Sequence, residues 1–149
     1  MLNDDKSILV SKISVILFMA LLLGCAAMAP ALVSRLLGLS ALAKAAGQGP
    51  FLATLYIGTI PAAALLISLF LLLQRIGRGN VFVRENVKCL CFISWCFFVG
   101  GLVCLLSSLY YAPWLPIGIM AVFMGIVVRV IKNVIAKAVA LQDDADFTI

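Results

Sequence analysis

Charged residues punctuate this chain at wide intervals and leave three long uncharged stretches between them. Residues 13–34 carry no charge over 22 positions, residues 45–74 none over 30, and residues 89–128 none over 40. A helix needs about 20 apolar residues to cross a hydrocarbon core about 30 Å thick, at about 1.5 Å per residue. The first two stretches fit one crossing each. The third would make a helix about 60 Å long, so it must fold back. The break lies in Tyr110-Tyr111-Ala112-Pro113-Trp114-Leu115-Pro116. Two prolines end helices there, and Tyr and Trp suit a membrane–water boundary. Length and the lack of alternation favour helices over strands, because a backbone in lipid must satisfy its own hydrogen bonds.

The pattern predicts an all-α membrane protein of one domain. Four transmembrane helices form a bundle over about 13–33, 51–73, 89–109 and 115–135, with a loop at 74–88, a tail at 136–149 and an amphipathic C-terminal extension. Composition agrees: 65% of residues are hydrophobic and 11% charged, against about 45–50% and about 25% in a soluble domain. The net charge of +5 is unevenly spread. Lys6, Lys12, Arg75, Arg78, Arg84, Lys88, Arg129, Lys132 and Lys137 fall on one side of a four-span chain. Only Arg35 and Lys44 fall on the other. Positive residues stay on the cytoplasmic side, so both termini are expected in the cytoplasm, with Arg129 snorkelling from the end of its span. The connection 34–50 is mostly apolar and either extends the first helix or lies along the interface. Gly47, Gly49 and Pro50 mark its turn.

Helices in lipid associate largely by close approach over small residues. Cys96, Gly100 and Cys104 recur every four residues in the third span. Ala20 and Gly24, Gly58 and Ala62, and Ala121 and Gly125 repeat the spacing in the others. Gly24, Gly58, Cys96, Gly100, Cys104 and Gly125 are therefore the candidate packing residues, within the bundle or across a homo-oligomer face. Pro30 and Pro61 are expected to kink or end their helices.

Candidate chemistry is sparse. The chain has no His, which removes the commonest general base and metal ligand. The five cysteines, at positions 25, 89, 91, 96 and 104, lack zinc-ligand spacing, and read as small apolar packing residues. Palmitoylation of the juxtamembrane cysteines is the other reading. Leu22-Leu23-Gly24-Cys25 also fits a bacterial lipoprotein box, but the apolar run continues through Ala26–Val33, which favours a retained first span. No ionisable residue lies deep in a span, as ion-coupled carriers require. Thr54, Thr59, Ser68, Ser94, Ser107 and Ser108 are expected mainly to bond their own helix carbonyls. No nucleophile has a base partner, so no enzyme, metal, cofactor or direct nucleic-acid binding is expected.

Two segments carry the polar chemistry. In the loop, Arg75, Arg78, Arg84 and Lys88 surround Phe82, Glu85 and Asn86. Gly77 and Gly79 are expected to end the second span, Phe82 to press back on the bundle, and Glu85 to occupy a helix first turn, where a negative charge suits the dipole. From Arg129 the last helix is expected to leave the membrane amphipathically. Val130, Ile131, Val134, Ile135, Ala138, Val139 and Leu141 form its apolar side, with Lys132 and Lys137 opposite. An acidic end follows: Asp143, Asp144, Asp146, Phe147, Thr148 and Ile149. The plain reading is a helix lying on anionic headgroups; the sharper one is a docking element for a cytoplasmic protein.

The loop and the terminus resemble a bacterial family of small four-span membrane proteins, domain of unknown function 2975. Gly79, Phe82, Glu85 and Asn86 match its Gly-x-x-Phe-Thr-x-Glu-Asn-like loop, and residues 143–149 resemble its acidic, hydrophobic-Thr-hydrophobic ending. Val83 replaces the usual Thr or Ser, removing a helix N-cap. The resemblance implies a bacterial inner-membrane protein of undetermined activity. It also implies, by analogy, partnership with the small helix-turn-helix regulator often encoded beside family members. The expected function is an interaction or regulatory membrane protein; the alternative is an oligomeric channel or transporter for a small molecule or ion.

Overall fold

A computed structural model describes residues 2–148, and side chains from Lys6 onward. Six helices follow one another: α1 (Leu2–Ala27), α2 (Ala29–Leu39), α3 (Ala41–Ala46), α4 (Gln48–Ile76), α5 (Arg84–Ser107) and α6 (Trp114–Phe147). Four of them, over Lys6–Ala27, Gln48–Ile76, Arg84–Ser107 and Trp114–Phe147, are long and apolar enough to cross a bilayer. The protein is an all-α bundle in which α1 packs on α4, α4 on α5 and α5 on α6.

The first crossing lies closer to the N-terminus than 13–33. Pro30 has no N–H to return to the preceding turn and settles in the first turn of a new helix, where that loss costs nothing. The chain breaks for one residue at Met28, whose N–H still reaches Gly24 O at 3.0 Å. Beyond it the connection is helical and folds back as a cap. Ser40 ends α2 and accepts from Ala43 N at 3.4 Å. Gly47, at φ 80°, turns the chain into α4. Val33, Ala43 and Phe51 form a buried cluster there, joined by Tyr110, Tyr111 and Trp114. Phe51 stands edge-on to both tyrosines, with centroids 5.1 Å away. Pro61, by contrast, is accommodated inside an unbroken α4.

This aromatic end also holds cross-helix hydroxyls. Thr54 Oγ1 lies 2.6 Å from Ser107 Oγ and 2.7 Å from Tyr110 Oη, and Tyr110 Oη donates to Pro50 O at 3.2 Å. Thr59, Ser68 and Ser108 bond their own helix carbonyls as expected, Ser107 does so as well as meeting Thr54, and Ser94 reaches across to Gly125 O at 2.8 Å.

The closest packing joins α5 to α6. A Cβ on Gly101 would stand 2.8 Å from Val122 Cγ2 and 3.2 Å from Gly118 O. One on Gly118 would stand 2.8 Å from Leu105 Cγ, and one on Gly125 3.0 Å from Phe98 Cε1. Of the residues proposed for packing, Gly125 is at a close approach, Cys96 is buried and Cys104 is half-buried. Gly100 has open space up to Pro61 Cγ, 3.9 Å from its notional Cβ. Gly24 and Gly58 have nothing within 4 Å, so neither is a close-packing glycine within this chain. Four-residue spacing missed Gly101 and Gly118. The pattern that carries the contact is a pair of small residues seven apart on each helix, Ser94 with Gly101 and Gly118 with Gly125. Seven residues close two turns, which keeps one face on a nearly parallel neighbour.

Candidate functional site at the charged end of the bundle

The start of α1, the α4–α5 loop and the end of α6 gather at the end of the bundle opposite the aromatic cap. A Cβ on Gly77 would meet Ile8 Cγ2 at 3.3 Å and Lys12 Nζ at 3.4 Å, which brings α1 to the loop. Arg84 Nη2 donates to Asp143 Oδ2 at 2.7 Å, which brings the end of α6 to it.

The loop is tied by its own side chains. Gly79, at φ 84°, adopts the left-handed turn that glycine tolerates best. Asn80 N–H returns to Arg75 O at 3.2 Å. Asn86 is 1% exposed, and its Nδ2 donates to Asn80 O at 2.8 Å and to Val81 O at 2.9 Å. Arg75, half-buried, reaches Glu85 O through Nη1 at 3.4 Å. Val83 begins α5 in an extended conformation and offers no side-chain cap. Glu85 lies in the first turn, as expected from the dipole. Asn86 therefore holds the loop from below, a role that residue type alone did not announce.

Phe82 does not press back on the bundle. It is 52% exposed, because the Asn86 bonds draw the flanking carbonyls inward and turn the ring out. Arg78 and Lys88 are exposed as well.

The C-terminal segment departs from the expected surface helix. No break separates it from the fourth span. α6 runs unbroken for 34 residues, about 51 Å, and keeps packing on α5 beyond the span. Ile135 packs against the cluster of Leu72, Leu90 and Ile93, and Val139 is 7% exposed. Val130, Ile131, Val134 and Leu141 face outward instead. The helix has two apolar faces, one packed on α5 and one turned outward, and a single amphipathic stripe did not separate them. Lys132 is half-buried, Lys137 is exposed, and Asp144 and Asp146 are exposed on the last turns. Phe147 is 92% exposed. Ile149 lies outside the described residues.

Arg129 is exposed and lies along α5. Its guanidinium carbon lies 5.6 Å from the Trp95 ring centroid and 5.3 Å from that of Phe98. That is cation–π range, and the contact holds the charge against α5.

These features define a multi-pass α-helical membrane protein with one charged and one aromatic end. The family model described as "Protein of unknown function (DUF2975)" matches residues 4–149, and the chain belongs to that family. No curated protein and no solved structure matches it.

Proposed function

We propose that this is a bacterial inner-membrane protein with cytoplasmic termini that holds a cytoplasmic regulatory protein at the membrane, without catalysing a reaction. The observation that carries the reading is the Arg84–Asp143 contact at 2.7 Å. It joins the loop and the C-terminal helix, 59 residues apart in sequence, into one composite surface. That surface offers Arg78 and Lys88 as cations, Asp144 and Asp146 as anions, and Phe82, Leu141 and Phe147 as exposed apolar anchors. Exposed aromatic anchors within a polar rim are the pattern of a protein-binding patch. A small helix-turn-helix regulator is the partner to which the family resemblance points.

A solute pathway through an oligomer has less support. Its best candidate stripe, Cys96, Gly100 and Cys104, is turned onto α4 of the same chain, where these residues share a cleft with Gly58 and Pro61.

The test is co-purification of the candidate regulator with the full chain in mild detergent, beside a Phe82→Ala/Leu141→Ala/Phe147→Ala variant. Recovery is expected to fall at least about tenfold, since loss of a hot spot costs about 2 kcal/mol or more. Equal recovery sinks the docking surface.

A further inference from the structure

A groove runs along the α5–α6 junction below the composite surface. It encloses about 340 Å³ and is lined by Arg84, Val87, Lys88, Ala136, Val139, Ala140 and Asp143. Its floor is small and apolar, its mouth is cationic, and the one carboxylate on its rim is engaged by Arg84. On α6, Arg129 precedes Ala136, Ala140 and Asp143 by seven, eleven and fourteen residues, intervals that keep one helix face. On α5, Lys88 and Trp95 are seven apart. The Arg129–Trp95 pair therefore continues the same side of the junction two turns deeper.

Depth distinguishes Lys88 from Arg129. Trp114 begins α6 at the aromatic end, and Arg129 lies fifteen residues on, about 22 Å along the axis. A hydrocarbon core about 30 Å thick leaves Arg129 about 8 Å inside it, whereas Lys88, in the first turns of α5, is at headgroup level. An arginine at that depth is costly unless it meets partners. The Trp95 and Phe98 rings, with centroids 6.2 Å apart, both lie on one side of the guanidinium, which leaves N–H donors on its other side for an oxygen ligand. The ligand that places anionic oxygens at headgroup level and apolar chains beside Trp95 is a phospholipid.

We propose that the mouth of this groove, together with the Arg129–Trp95 pair that lies outside its lining and continues the same side of the junction, is a selective site for one anionic phospholipid, its phosphodiester drawn in between Lys88 and Arg129 and its acyl chain along Trp95. The inference shares Lys88 and the Arg84–Asp143 contact with the docking reading but not its apolar anchors, so the Phe82, Leu141 and Phe147 variant and the lipid test fail separately.

The chain has two tryptophans. A Trp114→Phe protein in nanodiscs therefore reports on Trp95 alone, which is 55% exposed. Brominated phosphatidylglycerol is expected to quench Trp95 with about tenfold higher apparent affinity than brominated phosphatidylcholine. Lys88→Gln and Arg129→Gln are each expected to lower that preference about threefold to fivefold, the scale of one basic residue at an anionic surface. Lys88 is exposed, so Lys88→Gln carries the test where Arg129→Gln fails to fold. Native mass spectrometry of the unaltered chain and of Lys88→Gln, reading phosphatidylglycerol retained, gives the same comparison without the tryptophan change. Equal quenching by the two lipids overturns the site. So does an Arg78→Gln effect as large as that of Lys88→Gln, which would mean diffuse surface attraction. Loss of the preference in excess inorganic phosphate, at ionic strength matched with chloride, would mean a free-anion site and overturns the lipid assignment.

Discussion

Asn86 illustrates how a single side chain fixes a loop when the usual cap is missing. Val83 leaves the start of α5 uncapped, and Asn86 compensates from inside by donating both Nδ2 protons to loop carbonyls. Removing those donors strands two acceptors, at a cost of about 1–3 kcal/mol. Asn86→Ala is therefore expected to lower the thermal midpoint in detergent and to speed tryptic cutting after Arg78. An unchanged cutting rate would show that the loop is held by its backbone turns alone. Asn86→Asp is expected to be worse, since it sets an acceptor against the same carbonyls. The sequence singled out Asn86 only through the loop motif. Its partners lie five and six residues upstream, and they meet it only after Gly79 has turned the chain. Phe82 points outward for the same reason: its direction is set by a turn geometry that its own apolar character does not encode.

At the scale of elements, the α5–α6 junction separates glycines that pack from glycines that merely recur. Gly101→Ala puts a methyl 2.8 Å from Val122 Cγ2 and 3.2 Å from the Gly118 carbonyl oxygen. The backbone contact cannot yield without parting the helices, so about 1–3 kcal/mol is expected from overpacking. Gly100→Ala meets only Pro61 Cγ at 3.9 Å, and Gly24→Ala meets nothing, so both are expected to be neutral or slightly stabilising through helix propensity. Unfolding titrations in mixed detergent micelles rank them; equal loss from Gly100→Ala and Gly101→Ala would refute the assigned register. Ser94→Ala, which removes the bond to Gly125 O, is expected to cost only about 0.6 kcal/mol, the average for a polar contact between membrane helices. The number of crossings was legible because hydropathy and the Tyr110–Pro116 break act locally. The packing faces were not, because lipid and protein interior both favour apolar side chains, and a four-residue glycine repeat occurs on either.

The whole molecule is polar in the lengthwise sense. One end is closed by the α2–α3 cap, with Phe51, Tyr110, Tyr111 and Trp114 packed around it. The other gathers the start of α1, the α4–α5 loop and the end of α6. An even number of crossings joins the termini on one side, and this end carries most of the basic residues. Of the 11 lysines and arginines, only Arg35 and Lys44 lie in the cap helices, and basic residues resist translocation. The charged end is therefore expected to face the cytoplasm. In a Cys25→Ala background, Ala45→Cys on α3 is expected to react with an impermeant maleimide in intact cells. Asn80→Cys in the exposed loop is expected to react only after permeabilisation. The two positions are a matched pair, because both are exposed and lie at opposite ends, so reagent access alone separates them. Labelling of Asn80→Cys in intact cells would invert the bundle. It would also remove the cytoplasmic partner from reach of the composite surface, while leaving the α5–α6 groove and its lipid test untouched.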